Sequence, residues 1–350
     1  MTDSSDLRMS DLGEQGLLKR LQSFCPPEFV GDDAALLTVS PGRSLVVTTD
    51  VLVDGVHFSD RTTSALDVGW RAAAANLSDL AAMGATPLGI TVGLSIPGDL
   101  SVIWIEQLYQ GLVACLQPYQ TPIVGGDICR SQVVTVAITA LGQVDPSQVI
   151  RRNGAHPGDA ILVTGVHGAS RAGLELLLHP QQGQELTESD YPKRGTASHR
   201  TTLIQAHQRP IPRLDVIPLL HTAFAAKGNE APFRVGGMDS SDGLADAVLQ
   251  ICRASGVGAC LERHQIPMPA AFQSWLSPEQ AIEWALYGGE DFELVLCLPT
   301  AIAHSVQAKL GSPAAIVGTI TADPQVVLHD STGLYSNEVL TLNRGFQHFS

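Results

Sequence analysis

Apolar residues along this chain recur at two spacings, the one that marks a helical face and the alternation that marks a strand. Leu12, Leu17, Leu18 and Leu21 share one helical face over 10–22, with Ser10 or Asp11 as its cap, and this helix reads as structural. Residues 64–84 open on Ser64 with Asp67 three positions on, the form of a capping box. They run through an alanine-rich segment and stop at Gly84. Val102, Ile105, Leu108, Tyr109, Leu112 and Leu116 make an apolar stripe over 101–116, in which Tyr109 reads first as core. Further helices are expected over 169–178, 214–224, 244–254, 278–286 and 300–310. Strands are expected at Val46-Val47 and over 88–96, 133–141, 160–165, 294–298, 314–320 and 325–329. The β-branched pair Val46-Val47 predicts a buried strand. Residues 179–202 are polar without periodicity and are expected to form a flexible excursion.

Strand, glycine/aspartate loop and helix alternate in both halves, which predicts an α/β (α+β) chain. At 350 residues two domains are expected, 1–150 and 151–350. The turn dipeptides Asp145-Pro146, Asn153-Gly154 and Pro157-Gly158 mark the boundary between them.

Composition narrows the function. Lys and Arg number 21 against 35 Asp and Glu, a net charge of −14, so binding to a nucleic-acid backbone is not expected. A polyphosphate remains possible where metal ions reverse the local sign. The six cysteines form no C-x-x-C and read as small buried thiols of a reducing compartment. No basic-then-apolar leader begins the chain, and no apolar run reaches the roughly 18 residues of a membrane span. A cytoplasmic protein without membrane partners is expected.

Carboxylates gather where apolar runs end. Gly31-Asp32-Asp33 precedes a turn, and the run Ser44–Val47 leads into Thr48-Thr49-Asp50, then Asp54-Gly55-Val56-His57-Phe58. A strand ending this way is expected to bring two hydroxyls and a carboxylate to one place, a set of hard oxygens that suits Mg²⁺. Each aspartate taken singly also reads as a solvated loop residue. Asn76 and Asp79 share a helical face, and Asp79 lies near a helix C-terminus, where the macrodipole calls for a compensating cation. Gly125-Gly126-Asp127 is expected between strands, its glycines letting backbone N–H groups approach phosphate. Arg151-Arg152 is either a solvated linker or a phosphate clamp. Asp239-Ser240-Ser241-Asp242-Gly243 opens a helix, and Gly288-Gly289-Glu290-Asp291-Phe292-Glu293 leads into a strand. Walker A, G-x-G-x-x-G, H-E-x-x-H and G-x-S-x-G patterns are missing. The remaining set fits several Mg²⁺ ions on a polyphosphate, with catalysis by positioning and charge neutralisation.

These motifs resemble thiamine-monophosphate kinases, in order and over nearly the whole chain. The resemblance rests on Gly31–Ala35, Thr48-Thr49-Asp50, Asp54–Phe58, Asn76–Ala85, Gly125-Gly126-Asp127 and Arg152–Ala155. Asp239–Leu244, Gly289–Leu294 and the tail Gly345-Phe346 extend it. The wider superfamily includes aminoimidazole ribonucleotide synthetase. The resemblance implies ATP-dependent phosphorylation of thiamine monophosphate to thiamine diphosphate by direct in-line transfer. It implies a homodimer in which both N-terminal mixed sheets form a shared β-barrel, with a C-terminal α/β domain completing the cleft. By motif, Asp32, Thr48, Thr49, Asp50, Asp79, Asp127, Asp239 and Asp242 are implied as Mg²⁺ ligands. Tyr109, Gly125, Gly126, Asp127, Arg152 and Ser241 are implied to meet ATP. His57, Glu290 and Phe346 are implied at the thiamine end, and Asp50, Asp79, Asp127 and Arg152 in catalysis. The family's tail often has Trp-Asp where Phe346-Gln347 stands here, and Phe binds a cation less well than Trp. Two alternatives stay open: a synthetase of the same superfamily acting on another phosphorylated metabolite, and a non-enzymatic divalent-cation binder.

Overall fold

The computed structural model describes residues 7–29, 34–183, 186, 198–227 and 232–344. Asp32, Phe346, the rest of the tail and most of the 179–202 excursion lie outside the described residues. The chain divides into two compact units, Met1–Leu80 with Ala85–Pro146, and Ala81–Gly84 with Ser147–Ser350.

The first unit carries strands β1 (Ser44–Val53), β2 (Thr86–Ile96), β3 (Ile123–Arg130) and β4 (Thr135–Val144). They form one mixed sheet in the order β1-β4-β2-β3, antiparallel except for the parallel β2/β3 pair. Its helices are α1 (Met9–Leu21), α2 (Ala65–Ala82) and α3 (Val102–Leu116). Ser64 caps α2 as expected, its Oγ accepting from the Asp67 N–H (3.3 Å) and donating to the Asp67 carboxylate (2.6 Å). At α1 the cap differs: the Arg8 N–H donates to Asp11 Oδ2 (3.1 Å), so the helix begins before Ser10. Two glycines set how closely α2 and α3 cross. A Cβ at Gly69 would overlap the Leu108 carbonyl oxygen, and one at Gly111 would overlap that of Leu66. Since α2 carries Asp79 and α3 carries Tyr109, this crossing places two candidate site residues.

Two expectations for this sheet are corrected. Val46-Val47 is not a buried pair. Burial alternates along β1, and Leu45, Val47 and Val51 are 49%, 56% and 47% exposed. Strand side chains alternate between faces, and one face of β1 is open. Gly125-Gly126-Asp127 is not a turn between strands but the middle of β3, paired with Thr91, Val92 and Gly93 of β2. Glycines carry no side-chain pattern, so a strand through them resembles a loop in sequence.

The second unit holds a seven-stranded sheet in the order β11-β10-β7-β9-β5-β8-β6. The strands are β5 (Ala160–Val163), β6 (Gly236–Asp239), β7 (Gly258–Glu262), β8 (Leu294–Leu298), β9 (Ala315–Thr321), β10 (Val326–His329) and β11 (Glu338–Val339). Its helices are α4 (Ala169–Leu178), α5 (His199–Gln208), α6 (Val216–Ala225), α7 (Leu244–Ser255), α8 (Phe272–Trp275), α9 (Pro278–Tyr287) and α10 (Thr300–Leu310). Central strands β5 and β8 are buried throughout and feed two cores. Ile161, Val163, Val295 and Cys297 pack with α7 and α9, whereas Leu162, Leu294, Leu296 and Leu298 pack with α6 and α10. Helices therefore cover both faces, which explains why these strands read as unbroken apolar runs. The excursion expected over 179–202 ends earlier than its polarity suggested, because α5 starts at His199, with Ser198 Oγ accepting from the Thr201 N–H. Of this helix only Leu203 and His207 are buried, too sparse an apolar face for periodicity to reveal. Among the described residues no helix is long and apolar enough to cross a membrane.

Candidate active site

The first unit forms a small pocket on the edge strand β3. Leu18, Leu21, Gln22, Cys25, Phe29, Tyr109, Ile123, Gly125, Gly126, Asp127 and Ile128 line one pocket, with a cavity volume of about 150 Å³. Apolar walls come from α1 and the segment after it, and Asp127 supplies a carboxylate. Gly126 is required sterically: a Cβ there would overlap the Val92 carbonyl oxygen. Tyr109 is buried, with its ring centroid 5.6 Å from that of Phe24, and burial followed by the nearby Cys25 pushes its phenol far above the ordinary range. The hydroxyl therefore stays neutral and can donate. Sequence reasoning joined Tyr109, Gly125, Gly126 and Asp127 but set the first helix aside as structural. The signal it passed over is the continuation of the Leu18/Leu21 stripe into Cys25 and Phe29.

At the opposite edge of the sheet from the pocket strand, Thr48 and Asp50 project from one face of β1 and Thr49 from the other. The expected delivery of both hydroxyls to one place is corrected by this alternation. The Thr48 hydroxyl donates to Asp79 Oδ2, while Thr49 Oγ1 lies 2.9 Å from Thr139 Oγ1 across the β1/β4 pair. Asp79 thus receives a donor near the C-terminal end of α2, where the macrodipole opposes its charge. His57 follows β1 in a turn through Gly55, and its Nδ1 accepts from the Val53 N–H (3.1 Å). That bond leaves the ring proton of the neutral form on Nε2.

In the second unit β6 ends in Asp239, whose Oδ1 accepts from Ser241 Oγ (3.0 Å). The loop 239–243 is tied to the loop 288–293 by two backbone bonds, Glu290 N–H to Ser241 O (2.6 Å) and Ser240 N–H to Glu293 O (2.8 Å). Gly243 (φ 106°) and Gly289 (φ 65°) take left-handed backbone where the loops meet. Glu290 (φ 59°) and Phe292 (φ 52°) do so without being glycine. Such conformers cost about 1–3 kcal/mol each and persist where surrounding contacts fix them. The fixing contacts are those two bonds, the buried Phe292 ring and Asp291. Asp291 caps α4, accepting from the N–H groups of Gly168 (2.7 Å) and Ser170 (2.9 Å). Burial pushes its carboxyl up to about 7 despite these donors. Glu293 is held by Thr164 Oγ1 and Arg213, both at 2.5 Å.

Arg152 is exposed on a short 3-10 turn, its carbonyl accepting from Ser255 Oγ (2.9 Å). Its charge reaches Asp246 on α7, where burial and then Asp242 push the Asp246 carboxyl up and Arg152 draws it down. Arg152, Asp242 and Asp246 are therefore neighbours, and sequence reasoning had not included Asp246. Of the predicted residues, Thr48, Asp50, His57, Asp79, Tyr109 and Asp127 belong to the first unit, and Arg152, Asp239, Ser241, Asp242 and Glu290 to the second.

Among the described residues, the one group of three possible metal-ligating atoms within 4.8 Å of one another is Glu262, His264 and Asp330, none of them predicted. Its members are already engaged: His264 Nδ1 lies 2.8 Å from Glu262 Oε1, and Thr332 and Tyr335 donate to Asp330. Among the described residues the predicted carboxylates do not form a closed cage of this kind. Mg²⁺ seldom uses one, taking one or two carboxylates and completing its shell with water and substrate phosphate. Aspartate oxygens and a threonine hydroxyl are the donors it favours, so the residues fit the ion.

Comparison with known proteins places these features in a family. The model of the AIR synthase related protein N-terminal domain matches residues 31–144. Thiamine-monophosphate kinase of Synechococcus elongatus is 53% identical over 346 residues, 99% of each chain. The Escherichia coli enzyme of that name is 35% identical over 92% of this chain and 91% of its own. The crystal structure of thiamine-monophosphate kinase from Stenotrophomonas maltophilia superposes with a TM-score of 0.74 at 32% identity, covering 90% of this chain and 95% of that one. AaThiL complexed with AMPPCP and TMP superposes with a TM-score of 0.68 at 29% identity, covering 98% and 99%. Hydrogenase maturation protein HypE in complex with ATP, at 20% identity and a TM-score of 0.70 over 97% and 99%, shares the fold.

Proposed function

This chain belongs to the thiamine-monophosphate kinase family, and we propose that it transfers the γ-phosphoryl group of ATP to the phosphate of thiamine monophosphate, giving thiamine diphosphate and ADP. The observation that carries the reading is the β3 pocket, where an apolar wall, bare glycine backbone at Gly125-Gly126 and the Asp127 carboxylate meet. An adenine suits the wall, and backbone approach suits phosphates.

The acceptor is a phosphate oxygen, already a competent nucleophile, so positioning and charge neutralisation dominate and no protein base is required. Thr48, Asp50, Asp79 and Asp127 of one unit and Asp239 and Asp242 of the other are the residues we assign to Mg²⁺, together with Asp32. Ions held by these residues would neutralise polyphosphate charge and withdraw electron density from the leaving group. Thr48 fixes the Asp79 carboxylate by hydrogen bonding, and Arg152 supplies a permanent positive charge toward phosphate. Ser241 is oriented by Asp239. Glu290 complements the cationic thiazolium, with His57 and Phe346 assigned to the same end of the substrate. The open β1 face, with Leu45, Val47 and Val51, supports a homodimer in which a second copy closes the sheet into a shared barrel. Six free cysteines fit a reducing compartment, which we take to be the cytoplasm.

The test is ADP release with Mg²⁺ and ATP, with and without thiamine monophosphate. Release that depends on thiamine monophosphate, with an equal amount of thiamine diphosphate formed, is the expected result. Folded, ATP-binding protein that releases none would move the assignment to another phosphorylated acceptor.

A further inference from the structure

His207 is a buried histidine that the proposed chemistry does not use. It sits on α5, and its Nδ1 lies 3.1 Å from Ser170 Oγ and 3.7 Å from Glu290 Oε2. The ring side chain is 2% exposed, whereas that of Glu290 is 36% exposed. One end of this contact is locked in the protein and the other faces solvent.

The lock has a visible cause. Helix α5 lies so close to α4 that a Cβ at Gly173 would overlap the Leu203 carbonyl oxygen and stand 2.9 Å from the His207 Cβ. Ser170 in turn joins two systems. Its N–H donates to Asp291 (2.9 Å), and its hydroxyl meets His207. The adjacent acids Glu290 and Asp291 are therefore both anchored to the start of α4, one directly and one through the histidine. A carboxylate 3.7 Å from Nδ1 favours a proton on that nitrogen, since a lone pair there would repel it. The N–H then donates to the Ser170 hydroxyl oxygen, and the Glu290 carboxylate at 3.7 Å is held by electrostatic contact with the ring. The Glu290 backbone is left-handed, so the side chain departs in a direction that local preference alone would not select.

We propose that His207, backed by Ser170, is a positioning residue that aims the Glu290 carboxylate at the cationic aromatic end of the acceptor and so sets acceptor affinity and not ATP affinity. This rests on the assignment of Glu290 to the thiamine end made above. Sequence separation hides the pair, since 83 positions divide residues 207 and 290.

The experiment compares wild type with His207→Gln, His207→Leu, Glu290→Gln and the double variant His207→Leu/Glu290→Gln. Each is assayed for KM of thiamine monophosphate, KM of ATP and kcat, with thermal melting as a check on folding. In the unliganded protein, ¹⁵N shifts of the His207 ring are read in wild type and Glu290→Gln. The expected result is a rise of about tenfold or more in acceptor KM for His207→Leu. His207→Gln, which keeps an N–H donor, should restore part of the loss, while KM for ATP stays within about twofold. The double variant should be no worse than the poorer single one, because both break the same contact. The Nδ1 resonance should move when Glu290 loses its charge. Equal effects on both substrates, additive losses, or a His207→Leu protein with wild-type acceptor KM would each overturn the proposal. Absence of thiamine monophosphate turnover in wild type would instead remove the acceptor assignment on which the proposal rests, while an unmoved Nδ1 resonance would remove the contact itself.

Discussion

Single atoms decide the chemistry at two places. At Gly126 the decision is steric. The added methyl of Gly126→Ala meets the Val92 carbonyl oxygen inside a paired strand, so β3 must shift away from β2. Overpacking of this kind costs about 1–3 kcal/mol, which in binding terms is a rise of roughly tenfold to a hundredfold in KM for ATP. Titration of nucleotide by calorimetry checks it, and unchanged affinity would take β3 out of the nucleotide site. At Asp291 the decision is electrostatic. Its folded carboxyl titrates at about 7, against an ordinary 3.8. Between these values the folded state holds a proton that the unfolded state has released, so stability falls as pH rises. The contribution is complete below about pH 4 and is lost as pH climbs to about 7. Urea midpoints measured across that window should decline in wild type and flatten in Asp291→Asn. Parallel curves for the two proteins would mean that Asp291 is ionised throughout.

Elements carry these atoms into place, and the α2/α3 crossing is the tightest of the couplings. Gly111→Ala puts a methyl into the Leu66 carbonyl oxygen and must push the helices apart. The expected cost is about 1–3 kcal/mol of stability, together with a fall in kcat, since Asp79 and Tyr109 ride on the two helices. Differential scanning calorimetry and steady-state kinetics on the same preparation separate the two effects, and a stable variant with full kcat would show the crossing to be slack. The helices themselves were legible. The stripe from Val102 to Leu116 and the run after Gly243 were read nearly to the residue, because both bury a continuous face. Where burial is sparse the pattern fails, as at α5, which shows only Leu203 and His207 to the core. It fails too where side chains are missing, as at Gly125-Gly126. The carboxylate motifs stand out in the sequence, but which oxygens face one another depends on strand parity, and that separates Thr49 from Thr48 and Asp50. The contacts of Glu290 with His207 and of Asp291 with Ser170 cross more than 80 positions and leave no local trace.

At the scale of the whole molecule the unusual feature is an open apolar sheet face on an otherwise acidic protein. Leu45, Val47 and Val51 alternate with the buried side of β1, and Val133 just before β4 is also exposed. Isolated exposed apolar residues are ordinary, but three in register on one strand form a patch of the kind that marks an interface. With a net charge of −14, two copies repel at long range, so the proposed homodimer requires short-range apolar contact and should strengthen as salt screens the charge. Sedimentation equilibrium is expected to give twice the 37.0 kDa chain mass, more firmly at high ionic strength. Val47→Asp places a charge at the centre of the patch and should yield monomer. Its thermal midpoint should then no longer depend on protein concentration, as that of a dimer does. A wild-type monomer at all concentrations would remove the shared barrel. A Val47→Asp dimer of undiminished affinity would move the interface to another face of the chain.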